Sequence, residues 1–565
     1  MSSNLKEFFI TGDETLHEIL GKLNKTGKRN LFLTEKNRLA GVINDGDIRR
    51  FILPMPHRLL IGIDIGTSGT KTAIYDETGR RLAVHTAEYP LYQPQNGWAE
   101  QDPDDWWNAT VEGLKTTLSA EGVNPADVVG IGLSGQMHGL VMLDENGSVL
   151  RRSIIWCDGR TAKECEEITN LVGKDRLMEI TKSPALTGFT ASKILWVRKH
   201  EPEIYEKCRH ILLPKDYIRF KLTGELATDV SDASGMQLLD IAKRDWSDEV
   251  LEKLQIDRSL LARVLESPDV SGQVTTETAA LTGVPAGTIV VGGAGDNAAA
   301  AVGCGAVRDG YGFTTIGTSG VVFSHCKELR VDPDGRIHSF CAAVPGEYHV
   351  MGVTLAAGLS LRWFRDTFSA VEQAEADAAG KDVYAIMDDK AADIPIGANR
   401  LLFLPHLMGE RTPHLDPAAR GAWIGLSASH SRAHCLRAVM EGVIYSLRDC
   451  LTLFDAAGVS APEVMMACGG GAVSPLWRQM LADVLNCNVR TAASNDGGAL
   501  GAALLAGVGA GVYPSVPEAC DAVIRTRTEQ PPIPENSAAY EPYYQLYHNT
   551  YAAIQPICHA LSEMG

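Results

Sequence analysis

The pattern of apolar and polar positions changes character near Arg58. Before it, Leu16, Ile19, Leu20 and Leu23 recur at the spacing of one helix face. Leu31-Phe32-Leu33 and Leu39-Ala40-Gly41-Val42-Ile43 predict two short strands joined by the polar turn Glu35-Lys36-Asn37-Arg38. Asp45-Gly46-Asp47 can cap a last helix through Phe51 and Leu53, and Pro54 and Pro56 then punctuate the chain. Residues 1–57 thus read as a separate small α+β module with the order helix, strand, strand, helix.

From Arg58 the elements are longer and more apolar. Leu59 to Ile65 predicts a buried strand, Gly66-Thr67-Ser68-Gly69-Thr70-Lys71 a polar glycine turn, and Thr72 to Asp76 a second strand. Strand, tight turn, strand is a hairpin, which excludes the strand–loop–helix of a P-loop, and the spacing G-x-x-x-x-G-K-[ST] is absent here. Ile65-Gly66-Thr67-Ser68-Gly69 recurs letter for letter at Ile316-Gly317-Thr318-Ser319-Gly320, again between apolar runs, Tyr311–Thr315 and Val321–Phe323. A repeat in matching strand context predicts a duplicated α/β architecture, with one large domain over 58–303 and another over 304–565.

Strands and helices alternate through both halves. Val128 to Leu133 predicts a strand, Ser134 to Gly139 a turn, and Leu140 to Leu143 a further strand. Ile289 to Gly292 is a strand that opens onto Gly293-Ala294-Gly295-Asp296-Asn297, followed by the helix-favouring run Ala298–Ala301. Val464 to Ala467 is a strand ending in Gly469-Gly470-Gly471-Ala472, after which Ser474-Pro475 starts a helix.

Composition narrows the function classes. The 565 residues are 45% hydrophobic and 22% charged, the balance of a folded globular chain. A net charge of −18 argues against nucleic acid as a partner, since that binding draws on Lys and Arg, but allows a small phosphate held by backbone amides. MSSNLKEFF lacks the pattern of a signal peptide, and no apolar run is long enough to span a bilayer. The 12 cysteines are scattered without a C-x-x-C, which reads as free thiols in a reducing cytoplasm.

Against that background a few residues carry chemistry. In the two glycine hairpins, the absence of side chains allows close backbone approach, and Thr and Ser add hydroxyl donors; one hairpin per lobe can grip a nucleotide triphosphate from both sides. Asp64 lies in a strand of Leu and Ile, where a carboxylate is costly unless it is paired, hydrogen-bonded or bound to a metal such as magnesium. Its plain alternative is a strand-end residue bonding its own turn. Asp296 is flanked by small residues that leave room for a substrate, and can act as a general base; the competing role is an N-cap for the Ala-rich helix. Gly469 to Ala472 suits a nucleotide lying across a helix start, or simply dense packing. His138, in the turn with Met137, could donate to a sugar hydroxyl, although a lone His is more often structural.

These motifs identify a resemblance. IGIDIGTSGTKTAIYD, GWAEQDPDDWW, GLSGQMHGLVMLD, IIWCDGR, PALTGFTASKILWVRKHEPE, LLPKDYIRFKLTGE, SDASGMQLLDIAKRDWSD, VVGGAGDNAAAAVG, IGTSGVVF, LMGERTPHLDPAARGAWIGL and ACGGGAVSPLWRQMLADV occur in the order and spacing of the FGGY carbohydrate kinases. From Arg58 onward the chain resembles that family, and within it the branch that phosphorylates xylulose. The resemblance implies two ribonuclease-H-like α/β domains of the actin/hexokinase-like ATPase type closing on a cleft, with sugar mainly on the first and ATP mainly on the second. It implies Asp296 as catalytic base and Asp64 as the carboxylate important for Mg2+ and phosphate. Met137, His138 and Asn297 would lie at the sugar, together with Asp296. Gly66, Thr67, Ser68, Gly69 and Lys71 form the first phosphate turn, and Gly317, Thr318, Ser319 and Gly320 the second. Trp363, Gly470 and Gly471 match positions near the nucleotide, and Ser474 stands where some relatives carry Asn. The implied reaction is ATP plus D-xylulose giving ADP plus D-xylulose 5-phosphate. An actin-like ATPase can also serve as a chaperone or filament, but a catalytic base beside a glycine-lined pocket suits a hydroxyl-phosphorylating enzyme better.

Residues 1–57 resemble a single CBS motif, most closely through RLAGVINDGDIRRFIL. Such motifs bind adenosine nucleotides in pairs, so a pair here requires a homodimer; a small appended cap without a ligand is the other reading.

Overall fold

The computed structural model describes residues 58–564 and, ahead of them, three strands: β1 (Phe9–Thr11), β2 (Asn30–Glu35) and β3 (Arg38–Asn44). β2 and β3 pair antiparallel with Asn30 opposite Asn44, as the two apolar runs predict. β1 runs parallel to β2 and is an addition; three residues are too few to show an alternating pattern. The helices expected around Leu16–Leu23 and Asp45–Leu53 lie outside the described residues. The chain divides into two units, Met1–Arg58 and Leu59–Gly565.

The second unit is built on two sheets. In the first, β4 (Leu59–Ile65), β5 (Gly69–Tyr75) and β6 (Arg81–Glu88) form an antiparallel meander. Helix α1 (Pro103–Leu118) then leads to β7 (Val128–Gly135), which pairs parallel with β4. Helix α2 (Pro214–Thr223) precedes β8 (Val270–Gln273) and β9 (Ile289–Val291), which complete the order β8-β9-β7-β4-β5-β6. The two-residue β10 (Ala294–Gly295) pairs with the end of β7.

Side-chain alternation divides the faces of this sheet. Leu59, Ile61, Ile63 and Ile65 of β4 join Ile131 and Leu133 of β7 in a core with Trp106 and Leu114 of α1 and Ile218 of α2. Leu60, Gly62 and Asp64 take the other face, as do Lys71, Ala73 and Tyr75 of β5 and Gly132 and Ser134 of β7. The strand assignments differ from expectation in three places. β5 begins at Gly69, so the turn is only Gly66–Ser68 and Lys71 sits within a strand, opposite Asp64. β7 runs on to Gly135 because β10 supplies backbone partners for Ser134 and Gly135. Val141–Leu143 is a strand but pairs with His210–Leu212 outside the sheet.

Helix α3 (Asp296–Cys304) follows β10 and enters the second half. There β11 (Tyr311–Ile316) and β12 (Gly320–Cys326) repeat the first hairpin, and β13 (His338–Cys341) and β14 (Tyr348–Thr354) extend it. Helices α4 (Gly358–Phe368) and α5 (Arg432–Ala456) lead to β15 (Val464–Cys468), which runs parallel to β11 as β7 does to β4. Helix α6 (Pro475–Leu485) and β16 (Asn488–Ala492) come next, and β17 (Thr526–Gln530) closes the order β13-β14-β12-β11-β15-β16-β17. The letter-for-letter repeat therefore marks equivalent hairpins in two related sheets.

Between β16 and β17, helix α7 (Gly497–Gly509) turns back onto the first sheet. Its bed is made of glycines: a Cβ on Gly62 or Gly132 would lie 1.8 Å from the carbonyl oxygen of Ala499 or Ala502. Helix α3 crosses α7 equally closely and sends Ala301 and Cys304 into a core with Phe313, Phe323 and Met466 of the second sheet. Among the described residues no helix is long and apolar enough to cross a membrane.

Candidate active site

Asp64 is the last residue but one of β4, on the face that α7 covers. Its neighbours in register are Lys71 on β5 and Ser134 on β7. Ser134 Oγ donates to Asp64 Oδ1 at 2.7 Å, and no hydrogen bond reaches Oδ2 from a described residue. Burial raises the Asp64 pKa, with Ser134 and the Lys71 charge opposing. The start of α7 presses on the same carboxylate: a Cβ on Gly498 would stand 2.9 Å from Oδ2 and 2.8 Å from Ser134 Oγ.

Asp296 is the first residue of α3, with Gly295 as N-cap, so the capping role considered for it belongs to the glycine. Its Oδ1 accepts from the backbone N of Asn297 at 2.7 Å and from Asn297 Nδ2 at 2.9 Å, while Oδ2 makes no hydrogen bond with described residues. The approach to Asp296 is fixed from behind: Gly295 N donates to Ser231 Oγ at 3.1 Å, and Ser231 Oγ donates to Asp229. Asp229 is in turn held 2.8 Å from the buried Lys215 ammonium. Burial pushes the Asp296 carboxyl up to about 7, the Asp64 charge adds to the rise, and Asn297 opposes it. A carboxylate with that pKa can take a proton near neutrality and is not held by strong donors.

The hairpin between β4 and β5 turns its carbonyls away from its tip. Gly66 O accepts from Tyr89 Oη and from Gln136 Nε2, and Thr67 O from Gln101 Nε2 at 2.7 Å. Trp156 Nε1 donates to Thr67 Oγ1 at 3.0 Å, and Ser68 is exposed. The equivalent hairpin is braced by α4, whose Gly358 N donates to Gly317 O at 2.7 Å and whose Leu359 N donates to Thr318 O at 3.1 Å. With the carbonyls satisfied from behind, each tip can offer amides and hydroxyls to an anion. Lys71 extends from β5 to within 4.0 Å of Asp496.

Beside the second hairpin is a cavity of about 530 Å³ lined by Gly317, Thr318, Arg362, Asp388, Gly470, Gly471 and Ser474. Five of the residues expected at the nucleotide, two from the hairpin and three from the glycine-rich segment, thus share one pocket. Ser474 also caps α6, accepting from Trp477 N at 3.0 Å. Trp363 is not among its lining residues; its ring packs against Phe368, Phe403 and Trp423, while its neighbour Arg362 faces the pocket.

Met137 is buried against Phe189 and Phe340 and abuts Gly295, the residue before Asp296. His138 has the left-handed φ of 72° and stacks on Phe189 with ring centroids 4.6 Å apart. His138 Nδ1 donates to Gly235 O at 2.8 Å, because a carbonyl can only accept. Burial holds the ring pKa well below 6.5, with the Lys193 charge adding, so Nε2 is an acceptor. The expectation that His138 offers a donor is therefore corrected: with Nδ1–H committed to Gly235 O, what the neutral ring can offer a ligand is an acceptor.

A carboxyl raised to about 7 and two glycine hairpins whose carbonyls are satisfied from behind suit the transfer of a phosphoryl group onto an alcohol, and two related sheets of this topology make the frame of an ATP-dependent sugar kinase. The chain belongs to the FGGY family of carbohydrate kinases, whose N-terminal domain model matches residues 59–303 and whose C-terminal domain model matches 312–510. A xylulose kinase of Bacillus subtilis (strain 168) is 41% identical over 504 residues, covering 89% of this chain and 99% of that protein. A xylulose kinase of Escherichia coli (strain K12) is 38% identical over 500 residues, 88% of this chain and all of that protein. The crystal structure of a xylulose kinase from Rhodospirillum rubrum superposes with a TM-score of 0.82 at 32% identity, over 89% of this chain and 100% of that one. The fold is thus the actin/hexokinase-like ATPase fold implied by the resemblance.

Proposed function

We propose that the protein transfers the γ-phosphoryl group of ATP to the O5 hydroxyl of D-xylulose, giving D-xylulose 5-phosphate in the breakdown of xylose. The observation that carries this reading is Asp296: a carboxyl with a pKa of about 7, one oxygen held by Asn297 and the other without a hydrogen bond from described residues, one residue beyond the Gly295 that Met137 abuts and within reach of the Asp64 charge. As O5 attacks the γ-phosphorus, Asp296 Oδ2 takes its proton; the O5–P bond forms and the bond from phosphorus to the bridging oxygen of ADP breaks. The amides of the two hairpins stabilise charge on the transferring group. His138 Nε2 accepts from a sugar hydroxyl, and Asn297 keeps the base oriented.

Mg2+ fits the residues present. Asp64 offers a hard oxygen in Oδ2, which accepts no hydrogen bond from a described residue, and its charge is felt at Asp296. Magnesium characteristically takes one or two carboxylates and completes its shell with phosphate oxygens and water, a demand that the single carboxylate of Asp64 meets. When bound at Asp64, Mg2+ would supply charge neutralisation on the β- and γ-phosphates. The twelve cysteines are all free thiols, which supports a reducing cytoplasm as the setting.

The test is sugar-dependent release of ADP from ATP by the full chain, across D-xylulose, D-ribulose, gluconate and glycerol. D-Xylulose should give the highest kcat/KM, and Asp296→Asn should lower its turnover by about 10²–10⁴-fold. Absence of stimulation by any of the four would overturn the reading.

A further inference from the structure

Arg411 stands out because its guanidinium makes no hydrogen bond and no ion pair with a described residue, although the residue is half-buried. Both of its neighbours are locked into the second lobe. Glu410 Oε1 accepts from the backbone N of Leu355 and of Arg411, each at 2.9 Å, and Oε2 contacts His406 Nδ1 at 3.0 Å. Thr412 N donates to Val353 O at 3.0 Å, Val353 N donates to Thr412 Oγ1 at 3.1 Å, and that hydroxyl donates to Arg336 O at 2.8 Å. Segment 410–412 is therefore stitched to the end of β14, and the one side chain left over is directed elsewhere.

It is directed at the first lobe. A Cβ on Gly188 would lie 3.7 Å from a terminal nitrogen of Arg411. Gly188 O and His138 O are joined by the same ammonium, Lys193 Nζ, at 2.8 Å each, and Phe189 stacks on His138. The Arg411 charge depresses the pKa of His138, and it does the same to His338, whose ring stacks on Phe340. A half-buried guanidinium whose donors no described residue uses can serve a ligand, and its charge is felt at His138.

We propose that Arg411 is a sugar-binding residue contributed by the second lobe: its guanidinium donates to the oxygen atoms of the sugar that rest on His138, away from the hydroxyl facing Asp296. The sugar would then be gripped from both lobes, by His138 and Asn297 below and by Arg411 above. This rests on the sugar-kinase reading of the same site and deepens it. Lysine in this place could supply donors but not the planar fork that spans two oxygens.

The experiment compares wild type, Arg411→Met and Arg411→Lys in the full chain. Arg411→Met should raise KM for D-xylulose at least tenfold, which is about 1.4 kcal/mol, with kcat far less affected and KM for ATP unchanged. Arg411→Lys should recover part of the loss. Thermal stabilisation by D-xylulose without nucleotide should be seen in wild type and lost in Arg411→Met. A KM for D-xylulose within twofold of wild type, or an equal rise in KM for ATP, overturns the proposal. If Arg411→Met fails to fold, Arg411→Lys with an unchanged sugar KM and unchanged stabilisation by sugar overturns it as well. A wild type that phosphorylates no ketose would instead refute the function on which the proposal stands.

Discussion

Asp64 and Asp296 sit close enough that the charge of the first adds to the rise that burial gives the carboxyl of the second, which reaches about 7. The base must be ionised to accept a proton, so kcat/KM for the sugar should climb with pH through about 7 and level off above it. Asp64→Asn removes a like charge, which favours ionisation of Asp296 and should move that acid limb to lower pH while lowering the rate itself. A pH–rate profile of both proteins checks the sign; a limb that moves upward, or does not move, contradicts the electrostatic link.

Asp296→Asn keeps the shape of the side chain and its contact with Asn297 but cannot take a proton. It should lower kcat by about 10²–10⁴-fold, the usual worth of general-base assistance, while ATP still binds. Single-turnover kinetics with a fluorescent nucleotide analogue separates the two effects.

Gly498 has no room for a side chain beside Asp64 and Ser134. Gly498→Val should force α7 away from the first sheet or push the carboxylate out of place. Overpacking of this kind costs about 1–3 kcal/mol, and kcat should fall at least tenfold. Thermal unfolding and steady-state rates on the same preparation test both; unchanged values of each would show that the contact is slack.

His138 carries no charge at neutral pH and accepts through Nε2. His138→Ala should therefore raise KM for the sugar without moving the acid limb set by Asp296. A shift of that limb on substitution would mean that the imidazole titrates in the working range after all.

Every residue assigned to phosphate, sugar or proton transfer lies beyond Arg58, and the family match begins at residue 59. Removing residues 1–57 should leave kcat and KM within about twofold of the full chain, as measured in the same coupled assay.

Much of this was readable beforehand for a physical reason: strands of Leu and Ile make a charged residue conspicuous, so Asp64 declared itself, and a strand that runs into alanines marks Asp296. The hairpins were visible because they repeat. What was not visible came from distance along the chain. Gln101, Gln136 and Trp156 meet at Thr67 from separate short segments with no shared pattern, and Gly498 reaches Asp64 only because a helix from the far half returns. Arg411 lies within a segment that carries the resemblance, yet nothing local says that its neighbours are tied down and it is not. The direction of the hydrogen bond at His138 depended on where Gly235 O falls.

The return of α7 to the first sheet has a consequence for how the chain can be divided. Residues 59–303 on their own would leave the glycine bed of β4 and β7 bare, and a polypeptide starting at 304 would carry an apolar helix with nothing to rest on. The two matched domains are thus separable in sequence but not as folding units. Co-expressed halves could reconstitute the enzyme only by exchanging that helix, and each alone should be prone to aggregation.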